Sequence, residues 1–144
     1  MEKHRTVSIS LAPNIINIIE KRAGIKSKSN CISFDLAVFW NVLDRGLREL
    51  EQSFSRSEMT LIKDAIDLQD VNESQIEMLL AGALSLMVTD GINNKDLANA
   101  HGVNGPTLIK KVEEMSDFAR LSCIDLCTRI WRTNDEDLLS KFKD

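Results

Sequence analysis

The N-terminal segment, residues 4–12, alternates between apolar and hydroxyl side chains, and this pattern constrains the fold more than any other feature of the chain. Side chains of a β-strand point alternately to opposite faces, so the segment is predicted to be a strand with two different faces. The apolar face carries Val7, Ile9 and Leu11, and the hydroxyl face carries Thr6, Ser8 and Ser10. No second strand pattern follows. Because a lone strand leaves its backbone N–H and C=O groups unpaired, we expect it to pair with the same strand of a second copy as an antiparallel ribbon.

Two amphipathic helices are predicted directly after this strand. Pro13 suits the first turn of a helix, Gly24 is a typical C-terminal stop, and the four isoleucines between them form an apolar stripe. After a polar linker over residues 26–30, apolar residues recur every three or four positions, which is the spacing of a long helix. These positions are Ile32, Leu36, Phe39, Leu43, Leu47 and Leu50. Ser29 or Asn30 is the predicted N-cap of this second helix.

Three short motifs follow one another in this region. They are Thr-Val-Ser-Ile-Ser-Leu-Ala-Pro at residues 6–13, Arg-Ala-Gly-Ile at residues 22–25, and Ser-Lys-Ser at residues 27–29. In this order they resemble the ribbon-helix-helix (Arc/MetJ-like) family of DNA-binding proteins, and the resemblance covers about residues 5–50. It implies a fold in which one short β-strand pairs between subunits and is followed by two helices.

The resemblance also implies how such a dimer would bind double-stranded DNA. The paired strands would lie in the major groove with their hydroxyl face toward the bases, and the start of the second helix would hold a phosphate. Hydroxyl groups can donate to or accept from base edges, and nearby basic side chains add charge pairing with phosphates. The expected DNA contacts are Arg5, Thr6, Ser8, Ser10, Lys28, Ser29 and Asn30. The expected dimer core consists of Val7, Ile9, Leu11, Ile32, Leu36 and Phe39.

Charge is distributed unevenly along the chain. The net charge of the whole chain is −4, but residues 1–30 contain six Lys and Arg against two Asp and Glu, whereas residues 55–144 contain ten against sixteen. Positive charge therefore lies at the end that is expected to meet DNA. Ser55 and Glu58 have the spacing of a capping box, which marks a fresh helix start. We therefore predict two domains: residues 1–54 for dimerisation and DNA binding, and residues 55–144 as a small all-α accessory domain.

Apolar spacing in the second domain predicts helices throughout. The predicted spans are 57–69, 74–88, 94–101, 107–115, 117–132 and 135–142, with 74–88 as a central core helix. Ala98, Gly102 and the apolar residues near them have the spacing of a helix-turn-helix over residues 94–112. The alternative for this stretch is a helical hairpin inside the core. If it reads DNA, Thr107, Lys110 and Lys111 are the expected second set of contacts.

The sequence offers little for catalysis or metal binding. It contains two histidines, no glycine-rich phosphate loop, and no nucleophile or carboxylate pair at a motif spacing, so we predict that the protein is not an enzyme and needs no cofactor or metal. Cys123 and Cys127 are one helical turn apart, but without nearby histidines they are expected to pack in the core. Neither a signal peptide nor a membrane-spanning pattern is evident, so the expected location is the cytoplasm.

These patterns predict a mostly helical, dimeric, sequence-specific DNA-binding protein that represses transcription, with autoregulatory, antitoxin-like and phage or plasmid roles left open. The alternative is a protein-binding inhibitor or interaction module, in which the ribbon dimer is a scaffold and the acidic residues 55–144 contact a protein partner. Assembly beyond a dimer is left open as well.

Overall fold

The computed structural model describes Thr6 and residues 8–67, 75–93 and 101–144. The helices of these residues are α1 (Pro13–Ala23), α2 (Lys28–Ser53), α3 (Arg56–Asp67), α4 (Ile76–Met78), α5 (Leu84–Asn93), α6 (Gly105–Glu113) and α7 (Asp117–Thr133). A π-helical turn, Leu79–Ala83, joins α4 to α5, and a 3₁₀-helix, Glu136–Leu139, follows α7. The chain divides into two compact units within α2, unit 1 (Met1–Trp40) and unit 2 (Asn41–Asp144). The domain boundary expected after residue 54 falls between α2 and α3.

The predicted N-terminal strand is wrong, and the ribbon-helix-helix fold class is corrected with it. Thr6 and residues 8–12 form no strand, and no strand or sheet occurs in the rest of the described chain. A strand is defined by ladder hydrogen bonds, and the described chain contains no neighbouring strand with which this segment forms them. Alternating side chains are therefore not sufficient for β-structure here. The mostly α class is confirmed for the described residues.

The two predicted helices of unit 1 are present, with one correction at a cap. Pro13 begins α1, and Gly24 ends it with a backbone φ of 58°, the left-handed region that favours glycine. The predicted cap of α2 at Ser29 or Asn30 is wrong, because the helix already begins at Lys28. Ser27 caps it instead: its Oγ accepts a hydrogen bond of 3.2 Å from the backbone N–H of Asn30.

Unit 2 is built around a continuous apolar core. Most of its fully buried members come from the second half of α2 and from every later α-helix of at least nine residues, and Phe142 is contributed by the segment after the 3₁₀-helix. The helical members include Leu50, Met59, Leu61, Ile62, Leu84, Val88, Leu108, Cys123 and Leu126. Gly46 lies against α7 at a close helix crossing, where the Ser122 hydroxyl donates a hydrogen bond of 2.7 Å to the carbonyl of Leu43. The predicted capping box at the start of α3 is confirmed. Ser55 and Glu58 each accept from the other's backbone N–H, at 3.1 and 2.9 Å.

The expected central helix over residues 74–88 is present in part but is interrupted. The backbone leaves helical geometry at Gly82, where φ is 125°, and the π-helical turn lies around this point. Arg120 of α7 donates a hydrogen bond of 3.0 Å to the carbonyl of Leu80 and so satisfies a backbone acceptor at the interruption. Beyond it, Leu84 and Val88 are buried in the core, whereas Leu86 is exposed.

The region with helix-turn-helix spacing is described only from residue 101 onward, so the first helix of that prediction lies outside the described residues. His101 is helical, Gly102 turns with a φ of 60°, and α6 follows. α6 begins two residues earlier than predicted because the Asn104 side chain accepts a hydrogen bond of 3.0 Å from the backbone N–H of Thr107.

Of the helices in the described part of the chain, none has the length and hydropathy that crossing a bilayer requires.

Candidate nucleic-acid interface

The three hydroxyl residues expected to read bases are all accessible. Thr6, Ser8 and Ser10 are exposed, in a stretch without helix that precedes α1. Arg5, the remaining expected contact of this segment, lies outside the described residues. The side chains are therefore available to a ligand, although the strand that was expected to align them is absent.

Four cations lie close together in sequence where α1 ends and α2 begins. We call this surface, Lys21, Arg22, Lys26 and Lys28, the basic turn. Two of its members are neutralised in part by ion pairs: Lys28 Nζ lies 2.9 Å from Glu20 Oε1, and Arg22 makes two hydrogen bonds of 2.7 and 2.8 Å to Asp35. Neither Lys21 nor Lys26 takes part in an ion pair among the described residues, and both are exposed. They are the cations of this turn that remain for an anionic ligand.

The Arg22–Asp35 contact keeps both of its groups charged. The hydrogen bonds from Arg22 lower the pKa of Asp35, and the same contact raises the pKa of Arg22. Cys31 Sγ lies 3.7 Å from Asp35 Oδ2, and burial, followed by the charge of Asp35, raises the pKa of the thiol. Since the thiol and not the thiolate is then the main species at neutral pH, Cys31 is a poor nucleophile.

The start of α2 lies next to an open groove of about 470 Å³. Helical geometry leaves the first N–H groups of α2 without acceptors inside the helix, and these groups attract anions. The expected phosphate clamp is altered by the observed cap, because the backbone N–H of Asn30 already donates to Ser27. The N–H groups of Lys28 and Ser29 remain directed out of the helix end. The groove is lined by Arg22, Ala23, Lys26, Asn30, Cys31, Phe34 and Asp35.

The expected second set of DNA contacts is only partly available. Thr107 and Lys110 are exposed and lie three residues apart, on one side of α6. Lys111 is turned inward instead: its Nζ lies 2.8 Å from Glu58 Oε1 and 5.6 Å from the centre of the Phe54 ring. Glu58 therefore caps α3 and pairs with α6, and Lys111 has a structural role.

The expected dimer core lies in unit 1 and is not covered. Of its members, Val7 lies outside the described residues, Leu11 and Ile32 are half-buried, and Ile9, Leu36 and Phe39 are exposed. Several large apolar residues of unit 1 that sequence reasoning left out of this core are exposed too; they are Ile15, Ile16, Ile18, Phe34, Val38 and Trp40. The signals that would have found them are the isoleucine stripe of α1 and the apolar residues that α2 carries outside its predicted apolar face.

The charged groups around Lys63 in unit 2 are paired with one another. Lys63 is nearly buried and lies within 4 Å of carboxylate oxygens of Asp64, Asp67 and Glu136. Burial alone would lower the pKa of Lys63, but the hydrogen bond and charge of Asp64, with the other two carboxylates, raise it. His101 Nε2 lies 2.9 Å from Asp64 Oδ2. This cluster joins α3 to the 3₁₀-helix through Glu136 and to the later segment that contains His101, and its lysine is already paired with carboxylates.

The buried thiols of α7 are core residues. Cys123 and Cys127 are both fully buried, and the hydrogen bond between them, together with burial, raises the pKa of Cys127 well above its usual range. The described residues contain no group of three or more histidine, cysteine or acidic side chains arranged to hold a metal ion.

Comparisons of the chain with protein-family models, curated proteins and solved structures found no match. The resemblance to the ribbon-helix-helix family therefore stays a prediction.

Proposed function

We propose that this protein is a DNA-binding transcriptional repressor whose DNA-contacting surface lies in unit 1. The observation that carries the proposal is the basic turn, at the edge of a groove and beside the exposed helix start of α2. Lys21 and Lys26 are free of ion pairs among the described residues and are placed to neutralise phosphates, which is the main source of affinity for a DNA duplex. Thr6, Ser8 and Ser10 are the proposed base-reading side chains.

The charge of the two units supports this division of roles. Unit 1 carries six Lys and Arg against three Asp and Glu, a net charge of +3, whereas unit 2 carries twelve against nineteen, a net charge of −7. A duplex is attracted to the first and repelled by the second. The proposed action is occupation of a DNA site, which keeps other proteins from it and so represses transcription. We place this activity in the cytoplasm.

The test is DNA binding followed by fluorescence anisotropy, on sites selected from random duplexes, at two salt concentrations. Lys21→Ala combined with Lys26→Ala should weaken binding to all sequences about equally and reduce the salt slope by about one for each phosphate that is no longer neutralised. The matched control is Lys141→Ala combined with Lys143→Ala, two exposed lysines of unit 2, which should leave the slope unchanged. Equal decreases in affinity from both pairs, or no duplex binding by the unaltered chain, would contradict the proposal.

Sequence reading is tested separately by changing the three hydroxyl residues together. Thr6→Ala, Ser8→Ala and Ser10→Ala should reduce affinity for the selected site by about 1–3 kcal/mol for each base that is no longer read, while binding to unrelated duplexes is retained. If the triple variant binds the selected site and unrelated duplexes with unaltered affinities, these residues do not read bases.

A second candidate function is that of a protein-binding inhibitor or interaction module. The observations that favour it are the net charge of −7 on unit 2 and the exposure of Trp131, whose side chain is 63% accessible on the last turn of α7. Trp is enriched at the centres of protein interfaces. Under this function, binding of a protein partner would be abolished by Trp131→Ala and retained when Lys21 and Lys26 are changed.

A further inference from the structure

The groove beside the start of α2 is larger than a phosphate contact requires. Its volume is about 470 Å³, which lies within the range of about 300–1,000 Å³ that is typical of small-molecule sites. Since one water molecule occupies about 30 Å³ of liquid, a phosphate group would fill only a small part of this volume. All of the lining residues belong to unit 1, between the end of α1 and the first turns of α2. The space that a DNA phosphate leaves unfilled is therefore wide enough for a small molecule.

Part of the groove lining is apolar. Phe34 lines the groove and is 69% exposed, so most of this aromatic side chain is in contact with water. Ala23 and Cys31 line it as well, and burial raises the pKa of the Cys31 thiol, so the neutral thiol adds no negative charge there. Covering Phe34 would remove apolar surface from water, which is favourable. The lining is thus suited to a flat apolar group of a ligand.

The net charge of the groove lining is positive. Arg22 and Asp35 neutralise one another through hydrogen bonds of 2.7 and 2.8 Å. Lys26 is then the lining cation that takes part in no ion pair among the described residues. The exposed side-chain amide of Asn30 lines the same groove and can donate hydrogen bonds. An ammonium group and an amide donor together favour a carboxylate or a phosphate.

We propose that this groove binds a small organic anion, in which an aromatic or other flat apolar group is joined to a carboxylate or a phosphate. The apolar group packs on Phe34, and Lys26 and Asn30 hold the anionic group. An inorganic anion would leave Phe34 uncovered, and an uncharged aromatic molecule would leave Lys26 unpaired. Because Lys26 is also a proposed phosphate contact, the ligand and a DNA duplex compete for it. The site itself goes beyond the proposed DNA function, and only this competition rests on that function.

The experiment is a titration of the full, isotope-labelled chain, followed by the NMR chemical shifts of its backbone amides. The probe is phenylpropionate. Two control molecules each lack one of its features: acetate lacks the aromatic ring, and phenylpropionamide lacks the charge. Phenylpropionate should give saturable shifts at the lining residues, and each control should bind at least about fivefold more weakly.

Two pairs of variants locate the site. Lys26→Ala should raise the dissociation constant of phenylpropionate by about threefold to fivefold. Lys21→Ala is its matched control, because it removes the other unpaired cation of the basic turn, which does not line the groove, and should change the constant by less than about twofold. Phe34→Ala should raise the constant by about tenfold, whereas Trp131→Ala, at an exposed aromatic residue of unit 2, should leave it unchanged.

A further variant should strengthen binding, which loss of folding cannot imitate. Asp35→Asn removes the carboxylate that neutralises Arg22, so the guanidinium becomes available to the ligand and the affinity for phenylpropionate should rise by about threefold. The proposal would be overturned by a chain without saturable shifts or by equal binding of either control molecule. Equal effects of Lys21→Ala and Lys26→Ala, a Phe34→Ala chain of unaltered affinity, or an Asp35→Asn chain that does not bind more tightly would overturn it as well.

A separate measurement distinguishes this site from the proposed DNA function. Phenylpropionate should displace the duplex from the unaltered chain, and acetate at the same concentration, which matches the ionic strength, should not. A chain that binds phenylpropionate but no duplex would retain the site and refute the function, and a chain that binds only the duplex would do the reverse. Binding of both without competition would contradict the shared contact at Lys26.

Discussion

Gly46 lies where α2 passes closest to α7, and Gly46→Ala should destabilise unit 2. A methyl group at this position would overlap the carbonyl oxygen of Phe118 and the hydroxyl of Ser122, and would lie 2.5 Å from the carbonyl carbon of Phe118. Two of these three atoms belong to the α7 backbone, which cannot rotate away. The helices would have to separate, and the hydrogen bond from Ser122 to the carbonyl of Leu43 would be broken or lengthened.

The expected size of the effect is the sum of three contributions, two that destabilise unit 2 and one that stabilises it. Forcing a methyl group into a packed region costs about 1–3 kcal/mol, and here the upper part of that range applies because the overlap is with backbone. Breaking the Ser122 hydrogen bond costs about 1 kcal/mol. Alanine is favoured over glycine inside a helix by about 1 kcal/mol, which offsets part of this destabilisation. The net decrease in the free energy of unfolding is expected to be about 2–3 kcal/mol.

Urea denaturation followed by circular dichroism measures this change, with Asp44→Ala as the control. Asp44 is exposed on the same helix, so its replacement alters helix propensity without a clash and should change the free energy of unfolding by less than about 0.7 kcal/mol. Ser122→Ala added to Gly46→Ala should not restore stability, since the carbonyl of Phe118 remains in place. A Gly46→Ala chain as stable as the unaltered one, or more stable, would refute the close helix crossing.

Two further predictions concern unit 2. Burial raises the pKa of Asp125, so the fold disfavours the ionised carboxylate. The contribution of the protonated carboxyl group to stability is fully present below the unfolded pKa near 4 and disappears as pH rises through the folded pKa. Asp125→Asn should therefore raise the urea midpoint at pH 7 and lose this advantage at about pH 4; an advantage that is equal at both pH values would show that burial of the charge is not the cause. Arg120→Ala leaves the Leu80 carbonyl without its donor at the interrupted helix and should lower stability by about 1–3 kcal/mol. Hydrogen exchange should rise first around Gly82, and uniform exchange throughout unit 2 would argue against this role.

The sequence was most informative where structure depends on neighbours along the chain. Pro13 and Gly24 marked the two ends of α1, and Ser55 with Glu58 marked the start of α3, because caps and turns involve groups within about four residues of one another. The uneven charge along the chain and the apolar spacing of α2 could also be identified from the sequence alone. The chain's mostly helical class followed from these local signals.

Only the tertiary structure decided which residues in these patterns are paired with others or buried. Lys111 is a candidate for binding DNA by sequence, but in the structure its ammonium group is paired with Glu58, 53 positions away. The close approach of α7 to Gly46 and the donation from Arg120 to Leu80 likewise join residues far apart in sequence. The strand predicted around Ser8 was wrong for the related reason that a strand needs a neighbour to bond with, and side-chain alternation carries no information about whether one is present. Apolar spacing similarly predicted α2 as one amphipathic helix, yet only the packing around it distinguishes the buried half at Leu50 from the half that leaves Trp40 exposed.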